Sequence, residues 1–390
     1  MRIIKKLLFM SFYSLGLSEN LLKTLNDHNY TEAYPIQTQA IPAIIQKKDI
    51  LGIAKTGSGK TLSYVLPVLM NQQGAKHTKN RHINVLILVP TRELATQVLD
   101  VFKLFNHGFS EPIKAQAVFG GVSINPQMIG LQGVNILVAT PGRLLELLDA
   151  NALHISNIDT LVLDEADKML NMGFKDEIDR IIAQLPKKRQ NLLFSATLSE
   201  DIKNIQQLLL LNPQVIKINE DEEDPIELIQ QVAYTIAPEK KGPLLRYLIE
   251  SKEMNQVLVF TSSIQKADQV ANKLRNNGID ARSIHSKKSQ GARTDLLTKF
   301  KYRKLRVLVA TDLLARGIDI EFLPYVINYE LPRSPKDFIH RIGRTGRAES
   351  PGEAISLITP DEEHHFRVIQ KKLKKWIDRI DGNELLETKH

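Results

Sequence analysis

The sequence of 390 residues contains no cysteine, a single tryptophan and no long uninterrupted apolar run. The absence of cysteine excludes disulfides, thiolate metal sites and a cysteine nucleophile, and it favours a reducing compartment. The longest strongly apolar pieces, such as VLILV from Val85 to Val89, have the length of a strand rather than of a membrane span. We therefore predict a cytoplasmic location and no membrane partner.

The N-terminal residues Met1 to Leu17 are basic and then uncharged, which loosely imitates a secretory signal. Polar residues interrupt the uncharged stretch, and no cleavage site of small residues follows it. We expect no signal peptide, and Met10 is a second candidate for the start of the chain.

Basic residues exceed acidic ones, with a net charge of +8. Clusters such as Lys301 to Arg306 and Lys371 to Lys375 could bind a polyanion through release of its counterions. For any single cluster, a solvated helix face is the more common explanation. The charge is compatible with a nucleic-acid partner but does not decide between these interpretations.

The length predicts two domains, and the acidic run NEDEED with Pro225 is typical of a linker between them. We place the N-terminal domain at residues 1–218, the linker at 219–225 and the C-terminal domain at 226–390. Both halves alternate short apolar strands with longer helical patterns. This rhythm predicts an α/β fold in which each domain is a parallel sheet flanked by helices.

The motif AKTGSGKT lies between an apolar strand and a helical pattern, which is the context that a phosphate-binding loop requires. Its glycines free backbone N–H groups for phosphate, its lysine can reach the β and γ oxygens, and its last hydroxyl can bind Mg²⁺. A simple glycine–serine turn is the weaker alternative. The predicted nucleotide-binding residues are Ala54, Lys55, Thr56, Gly57, Ser58, Gly59, Lys60 and Thr61.

A second motif places carboxylates at the end of the strand TLVLD, where parallel sheets commonly bind their ligands. We expect Asp164 to hold Mg²⁺ through water and Glu165 to polarise the attacking water. An acidic start of a helix is the alternative when the motif is taken alone. The phosphate loop upstream favours the catalytic interpretation.

In the second half, HRIGRTGR contains three arginines and two glycines within eight residues. The spacing of Arg344 and Arg347 is typical of arginines that complete an ATP site and neutralise the γ-phosphate. A solvated basic turn is the alternative. The segment VATDLLARGIDI, at residues 309–320, is another strand that ends in a polar loop.

Together these motifs resemble the DEAD-box ATP-dependent RNA helicases of superfamily 2, over Phe12 to about Pro360. The segments FGGVSINPQ, KRQNLLFSAT and SQGAR look most like the bacterial RhlE-type subgroup. The resemblance implies two tandem RecA-like domains with the active site in the interdomain cleft. It also implies ATP and Mg²⁺ as cofactors.

The resemblance assigns further nucleotide and coupling residues. In a Q motif at residues 10–38, Phe12 would stack on adenine and Gln37 would hydrogen-bond its edge, while Asp319 would contact the ribose. Asn29, Ala33, Tyr34 and Ser286 depart from the usual family residues. The residues implied to couple hydrolysis to strand separation are Asp167, Ser195, Ala196 and Thr197. His340 is implied to be one of the catalytic residues and to lie near the domain interface.

The resemblance also assigns contacts to RNA in both halves. Hydroxyls, arginines and free backbone amides suit phosphate and ribose, so sequence-independent binding is expected. Read locally, PTREL could start a helix and TPGR could be a turn. The implied RNA-binding residues are Pro90, Thr91, Arg92, Gly120, Gly121, Thr140, Pro141, Gly142, Arg143, Thr261, Gln290, Arg293 and Thr311.

The expected function is RNA-stimulated ATP hydrolysis coupled to local unwinding of short RNA duplexes or to remodelling of ribonucleoproteins. Expected partners are single-stranded RNA and short duplexes, with ribosomal or degradosome-type ribonucleoproteins as further candidates. Three alternatives stay open. They are an ATP-gated RNA clamp with little unwinding, a DNA translocase, and a non-catalytic scaffold, which the intact nucleotide motifs disfavour.

Overall fold

The computed structural model describes residues 10–55, 57–74, 81–109, 111–218, 229–312, 323–346 and 352–387. The chain divides into two compact units, Met1–Asn219 and Glu220–His390. The proposed linker at 219–225 lies outside the described residues, so its boundaries stay a prediction. In the described parts of the chain, no helix combines the length and apolar character needed to cross a membrane.

The first unit is built on a parallel seven-stranded sheet of the order β5-β6-β4-β7-β8-β3-β9, beside a short antiparallel pair, β1 and β2. Its strands are β1 Met10–Ser11, β2 Glu32–Ala33, β3 Ile50–Ile53, β4 Val85–Leu88, β5 Ala115–Val118, β6 Ile136–Ala139, β7 Thr160–Leu163, β8 Gln190–Ser195 and β9 Gln214–Lys217. Its α-helices are α1 Glu19–Asp27, α2 Pro35–Ile45, α3 Lys60–Gln72, α4 Arg92–Asn106, α5 Ile124–Gly130, α6 Pro141–Asp149, α7 Ala166–Asn171, α8 Lys175–Ile182 and α9 Glu200–Leu209.

Strand β4 shows why this sheet lies in the middle of the unit. All four of its side chains are buried, because helices cover both faces. Val85 and Ile87 pack in the core on one face, and Leu86 and Leu88 pack in the core on the other. This follows from the alternation of side chains along a strand.

Helix α4 buries one apolar stripe. In α4, the buried residues Ala95, Val98, Phe102 and Phe105 recur at intervals of three and four, which places them on one face of the helix. Thr91 caps its N-terminus by accepting a hydrogen bond from the backbone of Leu94. The cap fixes the point where the chain leaves the sheet and turns back over it.

The second unit repeats this plan with a parallel seven-stranded sheet of the order β12-β13-β11-β14-β15-β10-β16. Its strands are β10 Gln230–Thr235, β11 Val257–Thr261, β12 Ala281–Ile284, β13 Val307–Thr311, β14 Tyr325–Asn328, β15 Glu353–Ile358 and β16 Asp378–Asp381. Its described α-helices are α10 Lys241–Ser251, α11 Ile264–Asn276, α12 Gln290–Lys301, α13 Pro335–Ile342, α14 Glu363–Leu373 and α15 Gly382–Glu387. The predicted fold class, two parallel sheets flanked by helices, is confirmed.

Candidate functional site

The loop between β3 and α3 has the backbone shape of a phosphate cradle. Gly57 and Gly59 adopt positive φ values of 78° and 84°, a region that favours glycine. Lys60 begins α3, and its Nζ folds back over the loop to donate hydrogen bonds to the carbonyl oxygens of Ala54 at 2.6 Å and Lys55 at 2.7 Å. An ammonium held over a ring of backbone groups is well placed to exchange these carbonyls for phosphate oxygens.

The first carboxylate of the acidic motif is buried at the end of β7. Asp164 is only 2% exposed, and it accepts hydrogen bonds from the Tyr64 hydroxyl at 2.9 Å and from the Glu165 backbone N–H at 2.9 Å. Burial, followed by the neighbouring Glu165, raises the pKa of Asp164 from 3.8 to about 6. Burial, followed by the charge of Asp164, raises the pKa of Tyr64 well above its usual value. Tyr64 thus ties α3, which begins with Lys60 and Thr61, to the acidic motif.

The second carboxylate lies at the start of α7 in a strained backbone conformation. Glu165 has a φ of +52°, which is uncommon for a residue with a side chain and is typical of functional sites. Its carboxylate forms an ion pair of 2.7 Å with Lys168. Burial lowers the pKa of Lys60, while Asp164 and Glu165 oppose that shift. The site therefore concentrates opposite charges that bound phosphate and metal could rearrange.

The third acidic residue of the motif contacts the segment after β8. Asp167 accepts a 3.1 Å hydrogen bond from the Thr197 hydroxyl and a 3.5 Å hydrogen bond from the Ala196 N–H. Ser195 Oγ donates to the carbonyl of Thr197 at 2.7 Å, and the Ser195 carbonyl accepts from the Ala54 N–H at 3.0 Å. The four predicted coupling residues therefore join the acidic motif to the phosphate loop. Whether they couple hydrolysis to strand separation stays a prediction.

One of the two predicted adenine residues, Gln37, approaches the phosphate loop from α2. Gln37 is 1% exposed; its Nε2 donates to the Gly59 carbonyl at 3.1 Å, and its Oε1 accepts from the Tyr34 N–H at 2.8 Å. A Cβ atom at Gly59 would collide with the Gln37 amide and would lie 2.9 Å from the Tyr34 ring. Phe12 is 3% exposed and packs in the core of the unit, so stacking on a base would require the surrounding pocket to open. Both adenine contacts stay predictions.

The RNA-binding residues predicted in the first unit meet around one glycine turn. Arg92 Nη1 donates to the Gly121 carbonyl at 3.4 Å, and Arg143 Nη2 donates to the Val122 carbonyl at 2.8 Å. Gly121 has a φ of +73°, and a Cβ atom there would collide with the Arg92 guanidinium. Thr91 and Thr140 are the N-caps of α4 and α6, so the TPGR segment starts a helix and the local expectation of a turn was wrong. In the same segments lie Pro90, Gly120, Pro141 and Gly142.

The strand order explains why these residues fall into two groups. The phosphate loop, the acidic motif and Ser195 come at or after the carboxyl ends of β3, β7 and β8, which are neighbours in the sheet. The predicted RNA segments follow β4, β5 and β6, which form the adjacent group. Because β4 pairs with β7, both groups share one edge of one sheet. A single pair of strands, β4 and β7, therefore joins the two groups.

The second unit places its predicted RNA residues in the corresponding group of strands. Thr261 ends β11 and Thr311 ends β13, and both are buried. Gln290 and Arg293 lie in the first turn of α12, which follows β12. Strands β12, β13 and β11 are adjacent. The structure thus brings these four residues to one edge, and their contact with RNA stays a prediction.

The arginine motif begins in α13, where Arg341 is almost completely buried. Its guanidinium donates two hydrogen bonds, of 2.5 and 2.8 Å, to the Asp312 carboxylate, and its Cζ lies 5.0 Å from the centroid of the Phe260 ring. His340 is exposed and Arg344 is 8% exposed. Arg341 therefore anchors the motif to the segment after β13, while its two neighbours in the motif stay candidates for catalysis.

Comparison with known proteins identifies the family. The family model described as DEAD/DEAH box helicase matches residues 34–205, and the helicase conserved C-terminal domain matches residues 239–349. The ATP-dependent RNA helicase CshA of Limosilactobacillus reuteri is 39% identical over 93% of this chain and 72% of that protein. The DEAD-box ATP-dependent RNA helicase CshA of Bacillus subtilis is 37% identical over 95% of this chain and 74% of that protein. The chain belongs to the DEAD-box family of ATP-dependent RNA helicases.

Solved structures of DEAD-box proteins share the fold. Saccharomyces cerevisiae Dbp5 bound to RNA and ADP BeF3 aligns with a TM-score of 0.81 at 27% identity, covering 97% of this chain and 98% of that chain. A DEAD-box protein from Methanococcus jannaschii aligns with a TM-score of 0.54 at 35% identity, covering 96% of this chain and 99% of that chain. The predicted RecA-like architecture, and the assignment as an ATP-hydrolysing RNA helicase, are confirmed.

Three of the predicted site residues of this DEAD-box helicase lie outside the described residues. Thr56 belongs to the phosphate loop, Asp319 was predicted to contact the ribose, and Arg347 is the last residue of the arginine motif. Their roles stay predictions from the family motifs.

Two residues of the DEAD-box site were missed by the sequence analysis. Tyr64 lies one helical turn after Lys60 in α3, so both side chains are on the same face of the helix. This spacing could have predicted that Tyr64 lies near the phosphate loop. Arg341 is the first arginine of its motif, but no sequence pattern indicated its ion pair with Asp312. That pair depends on how α13 packs beside the end of β13. Both residues contact a carboxylate that lies in or beside a predicted functional motif.

Proposed function

We propose that this DEAD-box helicase couples RNA-stimulated ATP hydrolysis to local, sequence-independent unwinding of short RNA duplexes. The observation that carries the proposal is the shared edge of the first sheet. There, the nucleotide residues after β3, β7 and β8 lie beside the predicted RNA residues after β4, β5 and β6. This proximity gives a physical route by which bound RNA can change the hydrolytic residues.

The donor set at the nucleotide site suits Mg²⁺ together with ATP. We propose that the Thr61 hydroxyl and the Asp164 carboxylate hold the ion, the carboxylate through water, with the Tyr64 hydroxyl fixing the orientation of the carboxylate. Bound Mg²⁺ would neutralise charge on the β- and γ-phosphates. Its positive charge would also favour the ionised form of the buried Asp164, which is otherwise costly.

The residues of this chain then divide the work of hydrolysis. Backbone N–H groups of the loop, freed by Gly57 and Gly59, cradle the phosphates, and Lys60 exchanges its carbonyl partners for phosphate oxygens. Glu165 orients the attacking water and accepts its proton. On the family resemblance alone, we propose that Arg344 and Arg347 neutralise the γ-phosphate, that Asp319 contacts the ribose, and that His340 contributes near them.

The predicted RNA residues suit a sugar–phosphate backbone rather than bases. The N-termini of α4 and α6 place a positive dipole end at the same edge as Arg92 and Arg143. Binding of this kind carries little sequence information. We therefore infer that any selection of a ribosomal or degradosome-type ribonucleoprotein depends on contacts outside these residues. The RhlE-type subgroup also stays a prediction, because the relatives described above carry the CshA name.

The test is steady-state ATP hydrolysis without nucleic acid, with single-stranded RNA and with DNA of the same sequence, at one fixed low salt concentration. Stimulation by RNA alone, followed by separation of a short duplex, is the expected result. Equal stimulation by DNA would favour a translocase, and RNA stimulation without strand separation would favour an ATP-gated clamp.

A further inference from the structure

The single tryptophan of the chain is held in an outward orientation on the second unit. Trp376 is 72% exposed, whereas the next residue, Ile377, is 6% exposed. The Ile377 N–H donates a 3.0 Å hydrogen bond to Oε1 of Gln370, a side chain that is itself 1% exposed. Lys374 ends the preceding helix with a φ of +54°. The backbone around Trp376 is therefore anchored, and its indole is presented on a defined turn.

Exposed lysines precede this turn in the chain. The buried face of α14 consists of Phe366, Ile369 and Gln370. Lys371, Lys372 and Lys374 are exposed instead. Among the described residues, none of these three lysines has a side-chain hydrogen bond or an ion pair. Three ammonium groups thus remain available within five residues of the indole along the chain.

Few acidic residues offset this charge. Asp378 is the only acidic residue between His364 and Ile380. Glu363, the nearest acidic residue upstream, is already engaged by Arg367 and Arg379. Along the chain, the positive charge around Trp376 is therefore largely uncompensated.

The Trp376 turn is distant from the predicted RNA residues of the same unit. Trp376 precedes β16 and so lies at the amino end of the sheet, whereas Thr261 and Thr311 lie at carboxyl ends. Strand β16 is also the fourth strand along from β11, a lateral distance of about 19 Å at the usual strand spacing. A ligand on this turn would occupy a separate place on the surface.

We propose that Trp376, Lys371, Lys372 and Lys374 form a second binding surface for single-stranded RNA, the Trp376 surface. A base stacks on the exposed indole while the lysines neutralise neighbouring phosphates, a combination typical of single-strand binding without sequence preference. The proposal rests on the proposed function in that the ligand is RNA. Because the whole surface lies within one unit, binding to it needs no nucleotide.

A second copy of the chain is the alternative occupant, and the charges disfavour it. A symmetric pair joined through this surface would bring two sets of the same lysines together. Like charges at an interface oppose association, whereas a polyanion is attracted by the same groups and releases its counterions on binding. The uncompensated charge therefore selects RNA.

The test uses the fluorescence of Trp376, which reports on this surface alone because the chain has no other tryptophan. The whole protein is titrated with oligouridylate, without nucleotide, and tryptophan is excited selectively. Quenching that saturates, and that weakens as salt is raised, is expected. An emission that does not change at RNA concentrations that bind the protein would overturn the proposal.

Variants separate stacking from charge. Trp376→Ala should weaken nucleotide-independent RNA binding at least about fivefold, and Trp376→Phe should restore most of it. Lys371→Gln with Lys372→Gln should make the plot of log affinity against log salt shallower by about 1.4, since each phosphate contact on a single strand contributes about 0.7. The charge-matched control is Lys187→Gln with Lys188→Gln, two exposed lysines of the first unit, which should leave both quantities unchanged.

The remaining outcomes are decisive in the same way. Equal weakening by the control pair would show a general charge effect and overturn the proposal. A change of oligomeric state in Trp376→Ala, without a change in RNA affinity, would overturn it in favour of a second copy. RNA-stimulated hydrolysis with no quenching of Trp376 would reject the Trp376 surface and keep the proposed function. Quenching of Trp376 without any stimulation of hydrolysis would keep the Trp376 surface and reject the proposed function.

Discussion

Replacing Asp164 with asparagine should make the ligand-free protein more stable while it abolishes ATP hydrolysis. The buried carboxylate has a pKa of about 6 rather than 3.8, because burial penalises its charged form more than Lys60 and Tyr64 favour it. Asparagine has nearly the same shape and carries no charge. The substitution therefore removes the cost of a buried anion and keeps a hydrogen-bonding partner for Tyr64.

The size of the gain follows from the pKa difference and depends on pH. Each pKa unit is worth about 1.4 kcal/mol, so ionised Asp164 should destabilise the first unit by about 3 kcal/mol at pH 7. Between pH 4 and 6, roughly, the folded state binds the proton and the unfolded state does not, so the stability of the parent protein falls as pH rises. Below that window both states are protonated, and the cost disappears.

The assay is thermal unfolding of the parent protein and Asp164→Asn, without nucleotide or Mg²⁺, at several pH values from 4 to 8. At about 2–4 °C per kcal/mol for a unit of this size, the variant should melt roughly 6–12 °C higher at pH 7 and close to the parent near pH 4. Asp176→Asn, at an exposed carboxylate of the same unit, is the matched control and should show a small difference at every pH. A difference for Asp164→Asn that is the same at pH 4 and pH 8 would refute the reasoning.

Four further substitutions test other parts of the site. Tyr64→Phe removes a donor to Asp164, so the acid limb of the pH–rate profile should move to higher pH; an unmoved limb would contradict the positioning role. Glu165→Gln should abolish turnover but keep ATP-dependent RNA binding, and loss of that binding would count against its role in orienting water. Arg341→Lys cannot reproduce the two-pronged pairing with Asp312, so urea unfolding should show the second unit destabilised by about 3 kcal/mol or more; a loss below about 1 kcal/mol would be inconsistent with that contact. Gly121→Ala should weaken RNA binding because of its positive φ and the collision with the arginine beside it, with ATP affinity in the absence of RNA unchanged; an equal loss of both would contradict the division of the sheet edge.

Sequence patterns located most of the central strands. The apolar run VLILV, the strand TLVLD and the strand before the phosphate loop are the interior strands β4, β7 and β3 of the first sheet. Central strands of a parallel sheet are buried on both faces and so form continuous apolar runs. Strands β5, β9, β10, β15 and β16 were missed because polar residues interrupt their apolar runs, whether the strand lies at a sheet edge, as β5, β9 and β16 do, or inside the sheet, as β10 and β15 do.

The candidate site was predictable to the extent that its residues are contiguous in sequence. The phosphate loop and the acidic tetrapeptide are local patterns whose chemistry can be read from the residue types. The Tyr64 bridge joins residues about a hundred positions apart, and the Arg341 anchor joins two strands through a buried guanidinium. Such contacts depend on strand order, which local patterns do not contain.

Strand order also suggests why RNA can act as an activator in this helicase. Asp164 is buried, so its ionised form is costly in the ligand-free protein. The proposed hydrolysis requires this ionised carboxylate. The Asp164 N–H donates to the carbonyl of Leu88, the last residue of β4, and the predicted RNA segment Pro90 to Arg92 follows within two residues. RNA that fixes this segment would therefore constrain the backbone that holds the carboxylate. The end of β4 positions both the predicted RNA segment and the Asp164 carboxylate. Bound RNA could therefore influence this carboxylate through one short connection, without a longer chain of contacts.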